Sequence, residues 1–179
     1  MKLAIPAQIE TERLALARLK YEEAEEIFYT YASKPEATKY MSWPTLTDLK
    51  DTRAFLNYAV SGWNAGTDYS FGIRLKQFNR FIGSCGLLND QGKVQFGYIL
   101  SPTHWGQGYG TELCRGLMDM VRSLPEVYRV STFVDVENVA SVRVLQKSGL
   151  LEEARLEKWF KFVNQDNLPK DCFLFKLPL

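Results

Sequence analysis

Trp105-Gly106-Gln107-Gly108-Tyr109-Gly110-Thr111-Glu112 is the stretch on which the fold turns. Just upstream, Lys93 to Leu100 alternates, with Val94, Phe96, Tyr98 and Leu100 on one face, and Ser101-Pro102 stops the run. That is a strand. Downstream, Thr111 to Arg122 carries Leu113, Cys114, Leu117, Met120 and Val121 at helical spacing, with Glu112, Arg115, Asp119 and Arg122 on the opposite face. Three glycines therefore fill a strand-to-helix junction. The first N–H groups of a helix have no intrahelical partner and lie at the positive end of its dipole, and glycine lets a ligand approach the backbone. The expected ligand carries phosphate.

Working outward, Arg13 to Leu19 alternates as a first strand, and Tyr21 to Tyr31 places Ala24, Ile27, Phe28 and Tyr31 on one helical face, with Pro35 expected to end that helix. A second helix is capped by Thr47 or Asp48, turns Leu49, Phe55, Leu56, Ala59, Val60 and Trp63 inward, and ends near Gly66. Tyr69 to Lys76, Phe81 to Leu88 and Lys93 to Leu100 read as an antiparallel meander with short polar turns. Tyr128 to Val134 suits a strand that pairs in parallel after the helical crossover, and Asn138 or Ser141 caps a short helix stopped by Gly149. The tail forms two strands around Asn164 to Lys170. Antiparallel strands, one crossover and a terminal hairpin predict an α/β chain of α+β type, a mixed sheet flanked by helices rather than a doubly wound parallel fold.

At 179 residues and 46% hydrophobic content, residues 1–179 read as one domain able to bury its own core. A net charge of +1 gives no electrostatic footprint for nucleic acid or for an anionic membrane, and no apolar run approaches the length of a span. Cys85, Cys114 and Cys172 are odd in number and widely spaced, which disfavours disulfides and zinc and suits a reducing cytoplasm; no metal is expected. Met1 to Glu10 lacks the pattern of a signal peptide.

The glycine segment is neither a P-loop, since no lysine follows Gly110, nor a dinucleotide fingerprint, which opens a βαβ unit instead of closing a meander. It resembles the acetyl-CoA pyrophosphate loop of the GCN5-related N-acetyltransferases. The likeness extends along the chain: Thr11-Glu12-Arg13-Leu14, Tyr40-Met41-Ser42-Trp43-Pro44, Pro102 through Glu112, and Asn138-Val139-Ala140-Ser141 with Arg143-Val144-Leu145 and Lys147-Ser148-Gly149 are similar to the ribosomal-protein N-terminal acetyltransferase branch.

The resemblance implies a splayed mixed sheet of about seven strands, with acetyl-CoA in the gap beside Lys93 to Leu100, and no metal. Ile99 and Leu100 would offer main-chain groups to the pantetheine arm, and amides of Trp105, Gly106, Gln107, Gly108, Tyr109, Gly110 and Thr111 would hold the pyrophosphate. Trp105 departs from the Arg or Gln that the wider family places there. Asn138 would hydrogen-bond the cofactor arm, or cap the helix, or both. Leu145 stands where many members carry a tyrosine that protonates the thiolate, so another donor is required. Ser141 is the first candidate, against a plain capping role. Met41 and Trp43 would line the acceptor groove, and Tyr98 either joins them or only packs.

The activity implied is direct attack of an amine on acetyl-CoA, the acceptor being a protein amino terminus. The alternatives are a small amine (polyamine, amino acid or aminoglycoside) or a non-catalytic acyl-CoA-binding module, which Leu145 keeps open. An acyl-enzyme at Cys114 is disfavoured by its place on the apolar helix face. His104, beside the loop, reads as incidental; Arg143 and Lys147 meet the adenosine phosphate or only solvent. Monomer and homodimer are both compatible with the chain.

Overall fold

The computed structural model describes residues 1–179 and is built on one eight-stranded sheet. In chain order the elements are β1 (Gln8–Glu10), β2 (Leu14–Arg18), α1 (Ala24–Ile27), α2 (Pro35–Thr38), α3 (Leu49–Ala65), β3 (Asp68–Leu75), β4 (Arg80–Asp90) and β5 (Lys93–Leu100). Then come α4 (Tyr109–Arg122), β6 (Arg129–Asp135), α5 (Val139–Lys147), β7 (Leu151–Lys161) and β8 (Pro169–Lys176). The strand order is β1-β2-β3-β4-β5-β6-β8-β7. All neighbours are antiparallel except β5 and β6, which α4 joins as a crossover.

The meander, the glycine junction, the crossover and the terminal hairpin match the expectation from sequence. β1 adds a strand beyond the expected seven: it has only three residues and leans on β2 as an edge. The first helix differs more. Instead of one regular helix it is a 3-10 turn (Tyr21–Glu23), α1, and a π turn (Phe28–Ala32). The wide turn closes through the Ser33 N–H and hydroxyl, both donating to the Phe28 carbonyl at 3.1 and 2.7 Å. It buries Tyr31 and Ala32. Pro35 does not merely stop a helix; it occupies the first turn of α2, where its missing N–H costs nothing.

Asp48 caps α3 by accepting the Lys50 N–H at 2.8 Å, and Gly66 ends it at φ +79°. Leu56 and Ala59 are buried as expected, but Phe55 is exposed at the mouth of a cavity and Thr52 takes a buried place.

The core falls into two clusters. The larger packs Leu113, Leu117, Met118 and Val121 of α4 against Phe71, Leu87, Val94 and Phe96 of the central strands. The smaller joins Ile27, Tyr31 and Leu56 to Phe81 and Ile99. Leu117 is fully buried at the centre of the larger cluster. Leu117→Ala should cost about 3 kcal/mol, seen as a lower denaturation midpoint with an unchanged denaturant slope.

Candidate active site

The parallel ladder between β5 and β6 is short. It covers only Lys93, Val94 and Gln95 against Arg129, Val130 and Ser131. β4 follows β5 to Leu100, while β6 continues against β8 to Asp135. Beyond Gln95 the two strands diverge, and the β5 main chain from Phe96 onward has no partner strand on that side. This is the gap in which the sequence reading places a cofactor arm.

The glycine segment lies at the end of the gap. Gly106 and Gly108 have φ of +72° and +81°, a left-handed region that side chains rarely adopt. The first intrahelical bond of α4 runs from the Glu112 N–H to the Gly108 carbonyl at 3.1 Å. The six N–H groups from Gly106 to Thr111 precede it, and none donates to a turn or loop carbonyl. A Cβ built on Gly106 would meet nothing within 4 Å, so this backbone is open to a ligand. Gly110 has another reason: its Cα faces Val144 of α5, and a Cβ would come within 3.3 Å of that side chain.

The loop is held from below by a carboxylate. Glu112 Oε1 accepts the Thr11 hydroxyl at 2.6 Å and the Arg13 N–H at 2.7 Å, and Oε2 pairs with Arg13 Nε at 2.6 Å. Arg13 also donates to the Gln107 carbonyl at 3.0 Å and stacks over the Tyr109 ring at 4.4 Å. The Thr11-Glu12-Arg13-Leu14 stretch quoted for the resemblance thus has a physical task, fixing the turn that presents the amides. Sequence reading had taken Glu112 as solvated surface. Trp105 anchors the other end: its indole N–H donates to the Leu100 carbonyl at 3.0 Å, so that carbonyl already has a donor.

Asn138 caps α5, its Oδ1 accepting the Ser141 N–H at 3.3 Å. The Ser141 hydroxyl is left for other work and meets the Tyr98 hydroxyl at 3.3 Å. Burial, ahead of a nearby Cys114 and against the Ser141 hydrogen bond, raises the Tyr98 pKa, so the phenol keeps its proton. Leu145 is buried in the core. The structure therefore brings Ser141, Asn138 and Tyr98 to one wall of the gap.

Met41 and Trp43 line a cavity of about 570 Å³, which Tyr98 also borders. Its floor is a cross-strand row of small residues, Ser70 opposite Gly86 and Gly86 opposite Gly97. The next row contributes Ser84, whose hydroxyl accepts from Tyr31 at 2.7 Å. The loop carrying Met41 and Trp43 is pinned by Asn164 from the β7–β8 turn: its amide donates to the carbonyls of Thr38 and Trp43, and its oxygen accepts the Thr45 N–H. Sequence reading missed Asn164 and the floor. Glycines within strands were the available signal for the floor.

His104 is half-buried and shares a hydrogen bond with the Thr103 hydroxyl at 3.0 Å. Arg143 and Lys147 are exposed. Cys114 is fully buried, and burial pushes its thiol up to about 12. No three His, Cys, Asp or Glu side chains are grouped to hold a metal ion.

Residues 13–151 match the acetyltransferase (GNAT) domain family. The chain belongs to the GNAT acetyltransferases. It is 32% identical over 151 residues to an uncharacterized N-acetyltransferase, p20, of Bacillus licheniformis, covering 80% of this chain and 84% of that protein. Solved structures with the same fold include the microcin C7 self-immunity acetyltransferase MccE in complex with acetyl-CoA and AMP, with a TM-score of 0.87 at 18% identity and 98% of each chain covered. RimL, a ribosomal-protein α-N-acetyltransferase in complex with coenzyme A, aligns with a TM-score of 0.84 at 16% identity over 94% of this chain and 96% of that one. Spermidine N-acetyltransferase from Vibrio cholerae, in complex with CoA and spermine, gives 0.78 at 18% identity over 92% and 95%. As a GNAT acetyltransferase, the chain is an acyl-transfer enzyme.

Burial favours the protonated form of Glu112, but the hydrogen bonds from Thr11 and Arg13 outweigh it and lower its pKa. Folding therefore favours the ionised carboxylate. The stabilisation is fully present above the unfolded value of about 4.3 and is lost as pH falls through the lower folded value. Glu112→Gln should remove that part of the acid sensitivity in a pH series of melting curves. It should also weaken coenzyme A binding several-fold by calorimetry at neutral pH, because the loop loses its anchor.

Proposed function

We propose that this enzyme transfers the acetyl group of acetyl-CoA to a primary amine in a ternary complex, and that the acceptor is a protein amino terminus. The observation that carries the cofactor assignment is the run of unpartnered N–H groups from Gly106 to Thr111, opening onto the gap between β5 and β6. That array fits a pyrophosphate, and the free edge of β5 fits an extended amide-bearing arm. Acetyl-CoA supplies the acyl group as an activated thioester.

The chain's own part is alignment and proton handling. The acceptor cavity presents the amine to the far side of β5, and main-chain N–H groups of the splayed segment polarise the carbonyl. In the balanced reaction the amine nitrogen gains the acyl group and loses a proton, the carbon–sulfur bond breaks, and the leaving sulfur takes up a proton. The Tyr98–Ser141 hydroxyl pair is the donor assigned to that sulfur, in place of the tyrosine that Leu145 lacks. Asn138 positions Ser141 through the helix cap.

The protein-terminus reading is supported by the RimL likeness and by the four sequence stretches similar to that branch. A small-amine acceptor is the second reading, favoured by the floor of small residues in the cavity, and the spermidine N-acetyltransferase shares the fold. A cytoplasmic setting belongs to the same proposal and suits three buried free thiols.

Calorimetry should detect coenzyme A binding to the folded protein, and thiol release should follow with acceptor peptides that begin with Ser or Ala. Release with free amines but not peptides selects the second reading; binding without release to any amine removes the transferase assignment. Tyr98→Phe and Ser141→Ala should each lower kcat about tenfold or more with little change in acetyl-CoA affinity. An unchanged kcat in both would return the pair to a purely structural role.

A further inference from the structure

The cavity beside β5 carries charge of one sign. Asp51 and Asp68 line it, and no Lys, Arg or His side chain does. Asp51 is exposed in the first turn of α3 at the rim, whereas Asp68, at the start of β3, is 5% exposed. Its Oδ1 accepts the Ser70 hydroxyl at 2.7 Å, and Oδ2 has no partner in the chain.

The contrast with Asp135 is instructive. That carboxylate is equally buried, but both its oxygens are used, by the Glu137 N–H at 2.9 Å and the Gln165 amide at 3.0 Å. Asp135 is structural. Asp68 Oδ2 instead reaches the cavity with no donor from the chain, so it is free to accept from a ligand there. Burial raises the Asp68 pKa against the Ser70 hydrogen bond, and a cation beside Oδ2 would oppose that rise by favouring the ionised carboxylate.

Its place in the sheet says what it can reach. Asp68 pairs with Leu88 and Leu88 with Gln95, one row removed on the same face from Ser70, Gly86 and Gly97. From Gly97, where the sheet splays, the Asp68 backbone is two strands across and two residues along, about 12 Å. That is too far for a group that takes a proton from the reacting amine. Ile27, Met41, Trp43 and Phe55 line the same cavity and give it a largely apolar wall, beside the polar Ser70 and Gln95.

We infer that the acceptor carries a second basic nitrogen, separated from the reacting amine by an apolar spacer, and that Asp68 binds it as an ammonium. The inference rests on the reading of this cavity as the acceptor site. The recognised chemistry is a dibasic amine, whether a free diamine or a peptide terminus with a lysine close behind it.

The wild-type enzyme is assayed with diaminooctane against octylamine, and with a Ser-Lys peptide against the same peptide carrying norleucine. At least one dibasic acceptor should exceed its monobasic partner in kcat/KM by about tenfold or more, the value of a buried charge-assisted hydrogen bond. Whichever pair shows the preference identifies the source. Asp68→Asn, whose amide oxygen still accepts from Ser70, should erase the preference through KM and leave the monobasic acceptor within about twofold. Equal kcat/KM within both wild-type pairs overturns the inference without needing a variant to fold. So does an equal loss on monobasic and dibasic acceptors in Asp68→Asn. Coenzyme A calorimetry on both proteins separates these results from failure of the transferase reading, which would show as no binding or no thiol release with any amine.

Discussion

The site depends on an interrupted ladder. A parallel pair formed through a helical crossover normally continues along both strands, but here β5 and β6 stay together for three residues and then part. β6 keeps β8 on its outer edge along Ser131 to Asp135, as β5 keeps β4 out to Leu100, so the two edges that face each other are both left without a strand. On β5 the main-chain groups beyond Gln95 face the gap, and backbone polar groups need partners. The gap is therefore chemically directed toward a ligand rich in amide donors and acceptors. Its two walls, the α4 amino terminus and the Asn138–Ser141 turn of α5, both present helix starts to the same space.

The electrostatics of the loop follow from the same geometry. Glu112 in the first turn of α4 is stabilised by the helix dipole, yet an acid there would weaken the field offered to an incoming phosphate. Arg13 resolves the conflict, because its guanidinium pairs with the carboxylate and bonds the Gln107 carbonyl from the side away from the free amides. The N-terminal strand region thereby tunes a loop almost one hundred positions later in the chain. The Thr11 to Leu14 stretch thus contributes to the site by holding the glycine loop.

Much of this was legible in the sequence. Lys93–Leu100 was read at its observed bounds, α3 and α4 within a residue or two, and the Gly149 stop by glycine's freedom at positive φ; of the two caps offered for α5, Asn138 and Ser141, the structure uses Asn138. Local pattern and short-range capping decide such features. The π turn was not legible: Ser33 closes it on the Phe28 carbonyl, and Tyr31 within it meets Ser84 across the layer, a partner that only the tertiary fold supplies. Asp68, Asn164 and the Glu112 clamp were hidden for the same reason: each acts on partners set by strand register or by contacts far along the chain. The glycines of β4 and β5 did carry a signal, because a strand interior that gives up side chains at Gly86 and Gly97 leaves room above the sheet.

The inventory of nucleophiles favours direct transfer over a covalent relay. Cys85 and Cys114 are buried with their pKa values raised by burial, and Cys172 is pushed up to about 11, chiefly by burial and then by Asp135 and Asp171. A thiol held protonated is a poor nucleophile. No histidine lies beside any of these sulfurs to activate it, since His104 is the sole one and bonds Thr103. What remains is a backbone able to orient two reactants and, in the proposed reaction, a pair of hydroxyls to meet the leaving sulfur. Such a scaffold accelerates transfer by proximity and preorganised polarity. In the proposed reaction the neutral amine arrives from the cavity side while the acyl donor lies along the free edge of β5.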